Sequence, residues 1–160
     1  MNLLIYQVTN SRSRQALNLR EREKEMEAVL CRKLGDPTTE DKSNSPIVLI
    51  KNHPIPQVDS PTAVRVRVKA TSLNYANYLQ IQGTYQEKPP LPFIPGSDYS
   101  GIVDAVGPNV SQFQVGDPVC SFANLGSFAQ FIVVDQSHLS VTFNHSSFSL
   151  IKSEIFLLLD

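Results

Sequence analysis

The sequence predicts a mainly β fold with short helices, and three observations support this. Residues 62–72, "TAVRVRVKATS", alternate strictly between apolar and charged side chains, as expected for a strand with one buried and one wet face. The segments "YSGIVDAVG", "DPVCSF" and "GSFAQFIVVD" read as short strands at turn spacing. There is no βαβ alternation and no G-x-G-x-x-G motif. Together these features favour a barrel or sandwich of antiparallel strands.

The remaining elements follow from local signals. Residues 27–34 and 47–52 are short apolar runs that predict strands, and the polar stretch 36–46 between them predicts a loop. Residues 74–83 suit a short helix that Asn74 caps and Gly83 ends. Four of the seven glycines lie between 96 and 116, where they predict tight corners between strands.

Composition narrows the function classes. A net charge of −1 gives no global field that would favour nucleic acid or a membrane surface. No apolar run approaches the roughly 20 residues of a spanning helix. Two cysteines are too few for a disulfide framework or a cysteine-rich zinc site, which favours a reduced, cytoplasmic setting.

The two ends of the chain differ in amino-acid composition from its middle. Residues 1–25 are rich in arginine, as transit peptides are, but also in glutamate, which transit peptides avoid. We interpret them as a flexible extension, with organellar targeting as the open alternative. Residues 140–160 are serine-rich and end in an apolar run, and no turn signal marks them as a further strand. Residues 26–139 are therefore predicted to form the folded domain.

One segment resembles a known family. The stretch "LPFIPGSDYSGIVDAVGPNVSQFQVGDPV" (91–119) is similar to the quinone-oxidoreductase and zeta-crystallin branch of the medium-chain dehydrogenases, and so is "SLNYANYLQIQGTY" (72–85). The resemblance implies a GroES-like, partly open β-barrel, followed in the intact family by a Rossmann domain that binds NADPH. Similarity stops at about Ser140, so we expect this chain to lack the Rossmann domain.

The resemblance also implies roles for particular residues. In zinc-dependent relatives a cysteine stands at the position of Asn74, and a His-Glu pair stands at Ser97-Asp98. Asn, Ser and Asp do not supply a catalytic zinc set, so we expect no metal. In the zinc-free branch Asn74 and Tyr85 match positions that line the cofactor cleft, and Tyr78 matches an aromatic on the substrate side. From the residues alone, Asn74 could equally be only a helix cap, Tyr85 a loop aromatic and Tyr78 part of an amphipathic helix.

The implied activity is hydride transfer from NADPH to a quinone or an electron-poor C=C bond such as an enone. We expect the chain alone to bind neither NADPH nor zinc and to be inactive. The alternative is a non-catalytic interaction module that forms a homo-dimer or a hetero-dimer with full-length subunits. No nucleic-acid or membrane partner is expected.

Overall fold

The computed structural model describes residues 24–141. Most of the predicted extension and all of the predicted tail beyond Val141 lie outside this range. Within it, seven strands form two antiparallel sheets, and one α-helix lies between the third and fourth strands in the chain. The mainly β prediction is therefore confirmed. The elements are β1 (Glu25–Cys31), β2 (Ile47–Pro54), β3 (Ala63–Thr71), α1 (Tyr75–Gln82), β4 (Asp98–Val106), β5 (Pro118–Phe122), β6 (Phe131–Asp135) and β7 (Ser140–Val141).

The larger sheet has the strand order β6-β3-β4-β5-β7 and curls around the main core. Strand β3, which lies between β6 and β4, has the predicted alternation: Val64, Val66 and Val68 are buried, whereas Arg67 and Lys69 are exposed. The valines pack against apolar side chains of the neighbouring strands and loops, namely Tyr99, Val103, Phe113, Val119, Ile132 and Leu139. Burying this one face stabilises the sheet, because each large aliphatic side chain contributes about 1.5–3 kcal/mol when removed from water.

The register between β3 and β4 depends on a glycine. Gly101 lies opposite Val68, and a Cβ atom there would come within 2.2 Å of the Arg67 carbonyl oxygen. Only a residue without a side chain permits this approach of the two backbones. The same pairing contains two irregularities, between Arg65 and Val66 and between Val68 and Ala70, which increase the local bend of the sheet.

The smaller sheet consists of β1 and β2 and meets the larger one through backbone contacts near Phe93 and Phe128. The Cys31 N–H donates to the Phe93 carbonyl oxygen at 2.8 Å, and the Val29 N–H donates to the Phe128 carbonyl oxygen at 2.8 Å. Two small apolar clusters fill the junction. One contains Met26, Ala28 and Ala129, and the other contains Cys31, Ile81 and Phe93.

The helix α1 has the two ends that the sequence predicts. Asn74 is its N-cap, and Gly83, with a φ of +83°, ends it. Its buried side chain Ile81 docks against Cys31 and Phe93, so the helix is fixed to the junction of the two sheets. Of the four predicted corner glycines, Gly96 and Gly116 have positive φ angles, and Gly107 directly follows the end of β4. The prediction was wrong for Gly101, which lies within β4.

One strand was not predicted from the sequence, because residues 140–160 were expected to add no further strand. Ser140 and Val141 form β7, which pairs with Cys120 and Val119 of β5. The chain reaches this position through a 3-10 turn, Gln136–His138, in which the Asp135 side chain accepts from the Ser137 N–H. An aspartate two residues before a serine was the available turn signal.

Candidate functional site

A polar cluster lies where the end of β3, the start of α1 and the start of β4 meet. We call it the Asn74 cluster. Its members are Thr71, Ser72, Asn74, Asn77, Ser97, Asp98 and Ser127. It brings together Asn74, Ser97 and Asp98, the three residues at which the family resemblance predicts a difference from zinc-dependent dehydrogenases.

The cluster is built on the helix cap. The Asn74 side-chain oxygen accepts from the Asn77 N–H at 3.0 Å, and the Asn77 side-chain oxygen accepts from the Asn74 N–H at 3.1 Å. This reciprocal arrangement satisfies two backbone donors of the first turn. It also fixes the orientation of the Asn74 amide, because its oxygen has to face the backbone donor.

Asp98 holds the outer side of the cluster. Its Oδ2 accepts from the Ser72 hydroxyl at 2.6 Å and from Asn74 Nδ2 at 3.0 Å. Both donors are neutral, and Asp98 takes part in no ion pair among residues 24–141. The Asn74 side chain is therefore engaged on both its oxygen and its nitrogen.

The inner side of the cluster is buried. Asn77 and Ser127 are completely inaccessible to solvent, and Asn77 Nδ2 donates to Ser97 Oγ at 3.1 Å. The Thr71 hydroxyl donates to the Asp98 carbonyl oxygen at 2.7 Å, and therefore accepts from the Ser127 hydroxyl, also at 2.7 Å. These bonds offset the cost of burying the polar groups and make the cluster rigid.

Gly96 allows the cluster to close. Its φ is +94°, and a Cβ atom there would come within 2.4 Å of Ser127 Oγ and 2.3 Å of the Phe128 ring. A larger residue would push Ser127 away from Thr71. These contacts make Gly96 a packing residue of the cluster.

The donor set is poorly suited to a metal. The Asn74 oxygen is turned toward the helix backbone, and no three His, Cys, Asp or Glu side chains within residues 24–141 are grouped to hold an ion. Cys31 and Cys120 are free thiols. Burial raises the pKa of the Cys31 thiol, and a smaller opposing effect comes from a backbone hydrogen bond of Lys33. A buried thiol of this kind resists becoming the thiolate that zinc requires.

The three residues predicted for the cleft occupy different places. Asn74 lies at the start of α1, and Tyr85 follows its end, where the Tyr85 N–H donates to the Leu79 carbonyl oxygen at 3.2 Å. An eight-residue helix spans about 12 Å, so a ligand that contacts both residues has to extend along α1.

Tyr78 borders an apolar groove beside α1. The groove has a volume of about 840 Å³ and is lined largely by side chains of β1, β2 and α1, together with Leu73, Phe128 and Gln130. Neither Asn74 nor Tyr85 lines it. The Tyr78 ring stacks on Tyr75, with ring centres 5.9 Å apart, and Tyr75 is 73% exposed. The apolar groove that Tyr78 borders is therefore distinct from the Asn74 cluster.

Three members of the cluster, Asn77, Thr71 and Ser127, were not predicted from the sequence. Asn77 carried a usable signal, since an asparagine three residues after an N-cap can close a capping box. Thr71 and Ser127 carried none, because they are 56 positions apart and meet only when β3 and the loop before β6 have packed.

Comparison with known proteins agrees with this architecture. The model of the alcohol dehydrogenase GroES-like domain matches residues 60–142, more than half of the chain. The chain belongs to the alcohol dehydrogenase GroES-like domain family. The predicted membership of the quinone-oxidoreductase branch is confirmed by its relatives. Quinone oxidoreductase-like protein 2 of Rattus norvegicus is 38% identical over 112 residues, covering 70% of this chain and 29% of the rat protein.

Solved structures contain the same GroES-like fold. A quinone oxidoreductase of Pseudomonas syringae has a TM-score of 0.64 at 27% identity, over 75% of this chain and 34% of the bacterial one. A mycobacterial protein solved in complex with NADPH has a TM-score of 0.62 at 26% identity, over 75% of this chain and 34% of its own. The GroES-like domain here spans about a third or less of the length of these relatives. Within its described residues, no helix has the length and apolar character needed to cross a membrane.

Proposed function

We propose that this chain is the substrate-side domain of an NADPH-dependent quinone oxidoreductase. The reaction is hydride transfer from NADPH to a quinone or an electron-poor C=C bond, without a metal. The observation that carries the proposal is the Asn74 cluster, in which Asn74, Ser97 and Asp98 are tied to neutral hydrogen-bond partners. The family resemblance implies that zinc-dependent relatives carry Cys, His and Glu at these positions. The similarity to quinone oxidoreductase-like protein 2 supports the same assignment.

The roles follow from what each side chain offers. NADPH supplies the hydride when it is bound, and the protein supplies position and hydrogen bonds. Asn74 can donate to a carbonyl oxygen of the cofactor or the acceptor. Tyr85 can pack on a flat ring and also donate its hydroxyl, and Tyr78 can contact the ring of the acceptor.

A hybrid protein tests this proposal. Residues 26–139, the predicted domain, are joined to the Rossmann domain of a close relative, and NADPH oxidation is followed with quinone acceptors in the presence and absence of a chelator. We expect activity that the chelator does not reduce. Tyr85→Ala should lower kcat/KM by about five- to 150-fold, because a ring contact and a hydroxyl are worth roughly 1–3 kcal/mol.

Asn74→Ser separates the two roles of Asn74. Serine is also a good N-cap, so the helix should survive, whereas the amide donor is lost. We expect a loss of about tenfold in kcat/KM with little change in thermal stability. The matched control is Asn109→Ser, the same change at an exposed turn, which should leave kcat/KM unaltered. A folded hybrid that is indifferent to both Asn74→Ser and Tyr85→Ala would contradict the proposed cleft.

The chain by itself should bind no NADPH and no zinc, because it contains no nucleotide fingerprint and no thiolate and imidazole set. Calorimetric titration with NADPH and elemental analysis of the purified chain test these two points. Saturable binding at micromolar NADPH, or one tightly held zinc per chain, would contradict them. We further propose a cytoplasmic location and small-molecule partners rather than nucleic acid.

A second candidate is an interaction module that associates with itself or with full-length subunits. The exposure of large apolar side chains favours it, since Leu49, Leu73 and Phe122 are 52%, 63% and 64% accessible. Light scattering during chromatography should then show dimers or larger species. A sharp monomer peak at high concentration would remove this candidate.

A further inference from the structure

The Asn74 amide has a fixed direction and one remaining donor. A primary amide offers one acceptor oxygen and two N–H donors. The oxygen accepts from the Asn77 N–H, and one N–H of Nδ2 donates to Asp98. The second N–H has no partner within residues 24–141.

This remaining donor lies near the surface. Asn74 is half-buried, and its chain neighbours Leu73 and Tyr75 are 63% and 73% exposed. The other end of the same hydrogen-bond chain is anchored in the protein, because Thr71 donates to the carbonyl oxygen of Asp98. Asp98 therefore has a fixed backbone and a carboxylate directed at Ser72 and Asn74.

We propose that Asp98 is a positioning residue that sets the Asn74 amide as a one-donor site for a carbonyl oxygen. The proposal rests on the function proposed above. The carboxylate holds one Nδ2 hydrogen, so the other hydrogen is directed away from Asp98 and toward the ligand. Because the amide oxygen is turned to the helix, the site favours a ligand atom that accepts a hydrogen bond, such as a quinone or carboxamide oxygen, over one that only donates.

The direct test is the NMR signal of the Asn74 side-chain amide in the 160-residue chain labelled with ¹⁵N. We expect two unequal protons, one shifted downfield and exchanging slowly, and one exchanging freely with water. In Asp98→Ala the slow proton should exchange about tenfold faster and lose its downfield shift. In Asp98→Asn, whose side-chain oxygen can still accept, it should keep both properties.

Controls separate positioning from folding. The Asn77 backbone N–H reports the helix cap and should be unchanged in every variant that folds. Asp98→Ser, which is polar but too short to reach the amide, serves as the second variant if Asp98→Ala does not fold. Ser72→Ala removes the other donor to the same oxygen and should leave the Asn74 protons nearly unchanged. Equal exchange rates of the two Asn74 protons in the wild-type chain, or a slowly exchanging proton that persists in Asp98→Ala and Asp98→Ser, would overturn the proposal.

The kinetic arm uses the active hybrid. Asp98→Ala should lower kcat/KM for a quinone by about tenfold, and Asp98→Asn should restore it to within about threefold of the parent. An inactive parent hybrid would count against the proposed function only, because the NMR experiment tests separately whether Asp98 positions the Asn74 amide. An active hybrid in which Asp98→Ala and the parent have equal kcat/KM would show that Asp98 does not position the donor.

Discussion

The two aspartates near the ends of β4 have opposite environments. Asp104 is bound by two guanidinium groups, with Oδ2 at 2.8 Å from Arg65 Nε and Oδ1 at 3.1 Å from Arg67 Nη2. Asp98 is bound by an amide and a hydroxyl, both on a single oxygen. The Asp104 end of β4 has its charges matched within the sheet, whereas the Asp98 end leaves donor capacity at the surface. The same strand thus has one end whose carboxylate is neutralised by cations and one end at which we propose a ligand site.

The arginines around Asp104 are further fixed by an aromatic ring. Their guanidinium carbons lie 5.8 Å and 5.1 Å from the centre of the Phe131 ring on β6, the neighbouring strand. The positive face predicted for β3 is therefore a network of ion pairs and cation–π contacts across three strands. This network pairs Arg65 and Arg67 with an acidic and an aromatic partner within the sheet.

The largest expected effect comes from separating β4 from β3 at Gly101, which lies between the two aspartates. Gly101→Ala places a Cβ atom 2.2 Å from the Arg67 carbonyl oxygen, so β3 and β4 have to separate. We expect a loss of at least about 3 kcal/mol in the free energy of unfolding, measured by urea denaturation. Gly116→Ala is the control, because no atom lies within 4 Å of the added carbon although φ is +100°. It should cost about 1 kcal/mol. Equal losses for the two variants would contradict the close approach.

The second prediction compares the two aspartates directly. Asp104→Ala leaves two guanidinium groups without a counter-charge, one of them on a side chain only 21% exposed, and should lower the free energy of unfolding by about 2 kcal/mol. Asp98→Ala leaves neutral groups that water can reach and should cost about 1 kcal/mol. Urea denaturation measures both.

The salt dependence of the free energy of unfolding should distinguish the same two variants further. Raising the ionic strength to about 1 M shortens the screening length to about 3 Å, so the loss caused by Asp104→Ala should shrink by a few tenths of a kcal/mol. The loss caused by Asp98→Ala should stay nearly constant. A larger salt dependence for Asp98 would mean that it has a cationic partner.

The smallest expected effect concerns a third aspartate, Asp135, whose hydrogen-bond donors are neutral like those of Asp98. Hydrogen bonds from the Thr62 hydroxyl and from Ser137 lower the pKa of Asp135 to about 2. Because the folded pKa lies below the ordinary value of 3.8, the stabilisation is present above pH 3.8 and is lost as the pH falls toward 2. Thr62→Val should raise this pKa toward 3.8, as measured by an NMR titration. An unchanged pKa would contradict the role of Thr62.

Sequence predicted those features that depend on neighbours in the chain. The alternation in β3, the cap at Asn74 and the stop at Gly83 are all local, and all are present. The division into two sheets was not predictable, because it depends on which strands find each other. The Asn77–Ser97 and Thr71–Ser127 bonds of the candidate site join residues 20 and 56 positions apart, and no short motif encodes such pairs.

The junction of the two sheets has a consequence for synthesis of the protein. The Glu27 N–H donates to the Gln130 side-chain oxygen across 103 positions, and the Gln130 N–H donates back to the Glu27 carbonyl oxygen. On a ribosome that adds about 5–20 residues per second, β1 and β2 can pair early, and Cys31 can then pack on Ile81 and Phe93. The contacts of β1 with residues 128–130 have to wait until that segment has been made. Contacts of such high sequence separation slow folding. Met26 and Ala28 therefore lack their buried neighbour Ala129 until late in the translation of the domain.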